Sequence, residues 1–558
     1  MERTSKETPF SAFRVNVSLI VYKVFYFSFW GATGSYLPYL SLYFKQLGFS
    51  PANVGIVSAF RPLSGFVLLP VIAAAADRFR CRRAILVTSI LLGVVTAGAL
   101  ALLPHAAEAP CGVMEKQIEE FFHLNISLSG PDGQGGHSES FHASRVDNLL
   151  PSFPGARGLP GSNPYLHIPF EGALTNTSFL DVRNLPEKIR KTLIANQSWM
   201  YYQGDLHKLL VAVIVLATVM EVMMFSAICQ GDIATLDALR REHGNADQYG
   251  WNRGFGTVGW GACSFGVGLI LSSTRTAVVT CGFEHVATGY WTAFAAAGIV
   301  GSVAFFSTFY FGPYTYGEKK DDSDDTVSSS LGKSPIMAVV FSWHYGSVFV
   351  MIAFLGLCNG SMWAFLYWHL DNMGATQSFL GSLTAIQSLS DFVFGFLSAW
   401  TISVFGHIRL LGAGLFFFII RFLYYSWIPA PWLVIFSETL HGLGSILTWI
   451  TAVAYLNDAV PPQCRSTVQG ILVAAYNGLG AGLGFFTSGL LVNRFGASQT
   501  FGLFAVSCTA FFVVFLSIQG LSKVPPSPWK DEHEEKQSPQ KEVKDPDEED
   551  ALLDSRNK

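Results

Sequence analysis

The chain has 558 residues, 50% of them hydrophobic and only 14% charged, with a net charge of −4 and a mean hydropathy of +0.36. Soluble domains carry about 25% charged residues, so this balance excludes an ordinary soluble globule. A chain without basic excess also has little with which to hold a nucleic acid.

Residues 1–14 are polar and contain neither the apolar core nor the small-residue cleavage site of a signal peptide. The first apolar stretch is therefore expected to stay in the chain as a signal-anchor. A helix needs about 20 mostly apolar residues to cross a bilayer. Twelve stretches meet that need: 15–43, 52–76, 82–104, 207–230, 253–279, 287–312, 345–369, 377–405, 408–428, 431–457, 466–493 and 498–520. Their apolar positions do not alternate as in a membrane barrel, so the expected class is an all-α membrane protein. A long polar stretch, 105–206, parts the third from the fourth. A second break, 313–335, holds the run Glu318 to Asp325 and reads as a solvated linker. The chain then divides into a six-helix N-terminal half, 15–312, and a six-helix C-terminal half, 336–520. The tail, 521–558, is rich in Lys, Glu, Asp and Pro, a disordered composition.

Lysine and arginine in short loops favour the cytoplasmic side. Arg78, Arg80, Arg82 and Arg83 follow the second stretch, Arg240, Arg241 and Arg253 lie between the fourth and fifth, and Arg465 precedes the eleventh. The opposite loops hold Lys45, Arg275 and Arg494. Both termini are thus expected in the cytoplasm. The long loop then lies outside, where its three Asn-x-Ser sequons, at Asn125, Asn176 and Asn196, could be glycosylated. Cys111 and Cys281 are the two cysteines expected in outer loops; a disulfide and a pair of free thiols both remain open. Spacing of the Cys-x-x-Cys kind does not occur, and no nucleophile–base pair or phosphate loop stands out, so neither an enzyme nor a cofactor is expected.

The halves echo each other. Gly256, Gly259, Gly261, Gly266 and Gly268 fill the fifth stretch, and Gly478, Gly480, Gly482, Gly484 and Gly489 fill the eleventh. Small residues let helices approach closely, and paired six-helix repeats are one transporter plan. The segment Ala73 to Arg83, with Asp77, Arg78, Arg82 and Arg83, resembles the loop motif of the major facilitator superfamily, departing from it at Ala73, Arg80 and Cys81. Phe60-Arg61-Pro62-Leu63, Tyr249-Gly250 with Arg253, and the runs Thr439 to Gly442 and Ala459 to Gly470 resemble its branch holding domain-containing protein 6 and the 6-like relatives. This resemblance implies the two-half major facilitator fold and alternating access. It is more remotely similar to lactose permeases and nucleoside–proton symporters, which implies an acid in the eighth helix, an arginine in the ninth, and an acid with a histidine in the tenth. Asp391, Arg421, Glu438 and His441 occupy those helices, though Glu438 precedes His441, the reverse of the permease order.

Ionisable groups at bilayer depth cost roughly 2.5–3.5 kcal/mol each on insertion scales. Those four are therefore expected to meet, either as a proton-coupling network or as a static packing device. In the first half, Lys23, Arg61 and Glu221 form a second candidate set, in which Glu221 needs Arg61 or Lys23 as a partner. Lys23 could equally snorkel outward. Asn359 with Trp363, and Gln387 with Asp391, share helix faces at a spacing of four; with Asn477 they suit a small polar solute such as a sugar or nucleoside. Asp77, Arg78, Arg82, Arg83, Asp232, Arg253 and Arg465 are expected to form a cytoplasmic gate. Glu548, Leu552 and Leu553 fit an acidic dileucine pattern read by endocytic adaptors, which points to plasma membrane or endosomes and lysosomes. The expected function is proton-coupled solute symport, with a lipid bilayer, a small solute and protons as partners. The rival is a transport-inactive receptor acting through the glycosylated loop.

Overall fold

Lipid offers no hydrogen bonds, so an apolar run must satisfy its backbone within itself, and the helix does this locally. The computed structural model describes residues 19–104, 197–243, 249–280, 283–314, 335–461 and 464–521. In the first half α1 covers Ile20–Tyr36 and resumes as Leu40–Gln46; α2 is Pro51–Arg78, α3 Arg82–Ala101, α4 Gln203–His243, α5 Tyr249–Ser273 and α6 Trp291–Ser307. In the second, α7 is Trp343–Asn372, α8 Gln377–Phe405, α9 His407–Trp427, and α12 Ala497–Leu521. Between these, α10 is broken into Val434–Thr439 and His441–Asp458, and α11 runs from Arg465 to Phe495 through a π-helical segment, Ala474–Gly480.

Among the described residues ten helices are long and apolar enough by themselves to cross a bilayer, eleven when bent α10 counts as one. The remaining predicted stretch is α1. A 3-10 turn at Leu37–Tyr39 divides it, where Pro38 lacks the N–H that a continuous helix would use. The expected fifth stretch also ends early. Its helix stops at Ser273, and β1 (Thr276–Thr280) pairs antiparallel with β2 (Phe283–Ala287). The β-branched run Thr276-Ala-Val-Val-Thr280 favours extended chain. The sequons Asn125, Asn176 and Asn196, Cys111 and Cys281, linker residues 315–334, and Glu548, Leu552 and Leu553 lie outside the described residues.

The result is an all-α fold of two helical bundles, and the protein is a multi-pass membrane protein. The bundles meet along two seams: α2 runs beside α11, and α5 beside α8. The end of α3 and the start of α4 lie at one end of the bundles, here the loop face. The start of α1 and the end of α12 lie at the other, the terminal face.

At the loop face the halves repeat one another residue for residue. Gly48 ends α1 and Gly374 ends α7, each at φ +89°, a conformation open to glycine. Two residues on, Ser50 caps α2 and Thr376 caps α8, each accepting from the backbone N–H three residues later. Seven residues past each turn glycine come Gly55 and Gly381. A Cβ on Gly55 would stand 2.7 Å from the Gly489 Cα, and one on Gly381 would stand 3.2 Å from the Gly268 Cα. Both seams are therefore closed by glycine against glycine.

Candidate functional site

The second half gathers its four candidate groups around Glu438, which is fully buried. Arg421 of α9 donates through Nη2 to both Glu438 oxygens, at 3.2 and 3.1 Å. Gln387 of α8 donates to Oε2 at 2.5 Å, and the Tyr425 hydroxyl donates to Oε1. Tyr425 in turn accepts from Arg421 Nε at 3.0 Å. His441 sits between the two acids: Nδ1 is 3.7 Å from Glu438 Oε2, and Nε2 is 3.9 Å from Asp391 Oδ1. Both gaps exceed hydrogen-bond length. Among the described residues His441 Nδ1 and Arg421 Nη1 are buried without a hydrogen-bond partner. Asp391 is the exposed end of the chain, its side chain 30% accessible, and it accepts from Ser445 at 3.2 Å.

Local sequence explains why these side chains reach one another. The two pieces of α10 meet at 51° between Thr439 and His441. Gly442 lies against the α8 backbone there; a Cβ on it would stand 2.4 Å from Ser390 O. Ser390 stitches the break, donating to Thr439 O at 2.8 Å and accepting from Gly442 N at 2.9 Å. Across from the break, the π-helical segment of α11 carries Tyr476 and Asn477. Irregular backbone at membrane depth is tolerated where protein or a cavity covers it, and π-bulges recur at functional sites. The Tyr476 hydroxyl accepts from Asn359 Nδ2 at 2.7 Å, and Trp363 packs edge-on to the Tyr476 ring at 6.5 Å between centroids. Ser445, Trp449, Tyr476 and Asn359 line one small void.

In the first half Glu221 pairs with Arg61, whose Nη2 and Nε reach Oε2 at 2.6 and 3.2 Å, both side chains being buried. Lys23 stands apart, its ammonium 5.6 Å from the Phe255 ring centre. Arg61 and Gln387 are counterparts: each lies six residues past its seam glycine, Gly55 or Gly381. The same position thus meets a buried glutamate in both halves, as arginine in one and as glutamine in the other. Asp391 is the counterpart of Gly65.

Sequence reasoning took Lys45 only as a loop charge and missed its partner. At the loop face its ammonium reaches Asp371 at 2.7 Å and Asn372 at 2.6 Å, and lies 5.2 Å from the Trp368 ring centre. Lys45 and Asp371 each stand three residues before the φ-positive glycine of their half. That matched spacing was a readable signal. Beside the pair, Gln377 donates to Tyr290, at the start of α6, at 3.3 Å, and the Ser378 N–H donates to Ser272 of α5 at 2.7 Å, so both bonds join the two halves.

The expected gate residues lie towards the terminal face, and their contacts with described residues stay within one half. Arg82 binds Asp77 at 2.7 Å and Arg83 donates to Phe309 O at 2.7 Å. Arg253 pairs with Asp232, which also accepts from Tyr26 at 2.7 Å. Arg465 donates to Asn457 O at 3.2 Å, and Arg78 closes α2. With Lys45, Gln377 and Ser378 bonded across the halves, the structure has the loop-face end shut.

Two bundles of helices meeting along α2–α11 and α5–α8 define the class. A family model described as the MFS_1 like family matches residues 19–503, and the chain belongs to that family, within the major facilitator superfamily. It is 25% identical over 231 residues to the Xenopus laevis major facilitator superfamily domain-containing protein 6-like protein A, a match spanning 40% of this chain and 36% of that relative. To the Mus musculus 6-like protein it is 22% identical over 529 residues, 86% of this chain and 87% of the relative. Among solved structures it resembles the nucleoside transporter NupG, with a TM-score of 0.58 at 13% identity over 91% of this chain and 100% of that one. A D-xylose–proton symporter gives 0.53 at 13% identity over 92% and 98%. At such identities the likeness is one of fold.

Proposed function

We propose that the protein is a secondary transporter that moves a small polar solute by alternating access, coupled to protons through Asp391, His441 and Glu438. The observation that carries the reading is the unfinished chain of acid, histidine and acid, one end accessible and the other held by Arg421. A shift of roughly 1 Å in the imidazole would close either gap to hydrogen-bond length. Glu438 stays ionised while Arg421 holds it and takes a proton when that hold loosens. Both groups lie in the same bundle, so rocking of the halves alone does not part them. The switch belongs to the bend in α10, because Glu438 is on one side of it and His441 on the other. Gln387, Asn359, Trp363 and Asn477 face the solute in this reading, and Arg61 with Glu221 braces the opposite bundle.

In the same reading the termini are cytoplasmic, the Lys45–Asp371 pair is the outer lock, and the structure is the inward-facing state. Residues Asp77, Arg78, Arg82, Arg83, Asp232, Arg253 and Arg465 would form the inner gate, which engages when the outer lock opens. Proteoliposomes with an imposed inward proton gradient, offered labelled sugars, nucleosides and organic ions, test the proposal. The wild type concentrates one of them and Glu438→Gln does not. Equal behaviour of the two proteins would end the proton-coupling claim. If deletion of 105–196 alone abolished the biological activity, the receptor reading would replace it.

A further inference from the structure

Two carboxylates face one guanidinium in the cluster, so with the imidazole neutral one negative charge is left over. Arg421 neutralises Glu438, which leaves Asp391 with a neutral hydroxyl at 3.2 Å and the His441 ring at 3.9 Å. Its second oxygen, Oδ2, has no hydrogen-bond donor among the described residues. A carboxylate at this depth needs a partner or water, and Asp391 is the accessible member of the cluster.

The void bordered by Ser445, the residue that binds Asp391, has aromatic walls. One turn past Ser445 along α10 stands Trp449, whose ring centre is 5.2 Å from that of Tyr476. Ser445, Trp449 and Tyr476 border the same small void. Trp363, its residue half exposed at 50%, continues the wall from α7. Three electron-rich rings from three helices thus accompany one uncompensated carboxylate. Neutral sugars are met by paired donors and acceptors, whereas a ring wall with a single anion is the arrangement that recognises alkylammonium groups.

We infer that Asp391, Trp363, Trp449 and Tyr476 form a subsite for a positively charged organic amine, so that the transported solute is an organic cation. This rests on the reading of the cluster as part of the solute path and adds the charge of the solute to it.

The test is equilibrium binding to the full chain in detergent, without a gradient. Choline and tetraethylammonium are compared with neohexyl alcohol, the uncharged carbon isostere of choline, at matched ionic strength. At least one cation is expected to raise the unfolding temperature while the isostere does not, and Asp391→Asn should abolish the shift. Should Asp391→Asn fail to fold, Trp363→Leu serves, because half of that residue is exposed; loss of one ring should weaken cation binding roughly tenfold. No shift with either cation, an equal shift with the isostere, or unchanged cation binding in a folded variant would overturn the inference. Because no gradient is involved, failure here leaves proton coupling standing. Cation binding without any proton-driven uptake would sink the coupling reading alone.

Discussion

The two halves solve one problem with different chemistry. Position 61 in the first and position 387 in the second lie at the same distance from their seam glycines, and each addresses a buried glutamate. Arg61 and Glu221 form a closed pair. In the other half the charge has moved to α9 as Arg421, glutamine fills the vacated position, and Asp391 stands where the first half has Gly65. A closed pair has little left to exchange. The open cluster keeps an unbonded imidazole nitrogen, an unbonded guanidinium nitrogen and an accessible carboxylate. The difference teaches that ionisable groups in membrane helices are read by the hydrogen bonds they leave unmade.

Breaking the closed pair should give the largest effect. Arg61→Gln makes the first half imitate the second without supplying an Arg421, and leaves Glu221 without its cation. About 3–5 kcal/mol of stability should be lost, as for other buried pairs cut on one side, read as a fall in unfolding temperature in detergent. The double variant Arg61→Met with Glu221→Leu should recover most of it. If Arg61→Gln is as stable as the wild type, the closed and open sites are not distinct.

Gln387→Leu asks what the glutamine contributes in the open cluster. It removes one hydrogen bond to a charged group, worth about 1.5–3 kcal/mol, while Arg421 remains on Glu438. The loss should therefore be smaller than for Arg61→Gln in the same assay. A larger one would show that Gln387, rather than Arg421, holds Glu438 in place.

Lys45→Met probes the seam that both halves share. Loss of a close interfacial charge pair should shift the equilibrium towards an open loop face by about 2 kcal/mol, roughly thirtyfold in the ratio of states. Alkylation of a cysteine placed at Ser378 should report it as a faster rate. Lys45→Asp combined with Asp371→Lys should slow that rate again; an unchanged rate in Lys45→Met would remove the lock. The smallest effect is expected at Lys23, whose only described contact is the Phe255 ring: Lys23→Met should stay within about 0.5 kcal/mol. A greater cost would give the first half an open site of its own.

Much of this was legible in the sequence. Charge depletion and run length gave the class. The members of the cluster stood out because charged residues are rare inside such runs. The geometry that makes it a site was hidden. Nothing in Thr439-Leu-His-Gly442 shows that α10 bends at Leu440, since the bend depends on Ser390 of another helix. The π-helical turn at Ala474–Gly480 likewise has no periodic signature in an apolar run. Lys45 was visible but unpartnered, because its ion pair joins residues 326 positions apart. The repeat that predicts it, Gly48-x-Ser50 against Gly374-x-Thr376, was in plain view. The first strand of the hairpin, 276–280, was absorbed into the fifth stretch because its valines are as apolar as those of the helix.

The loop-face ion pair has a consequence for how such a chain could arise. Lys45 and Asp371 occupy matched positions, so two identical copies related by a two-fold axis would set lysine against lysine or aspartate against aspartate. Like charges at that distance repel. An ancestor assembled from identical copies could not have held itself shut in this way, so the fastening must postdate the divergence of its duplicated parts.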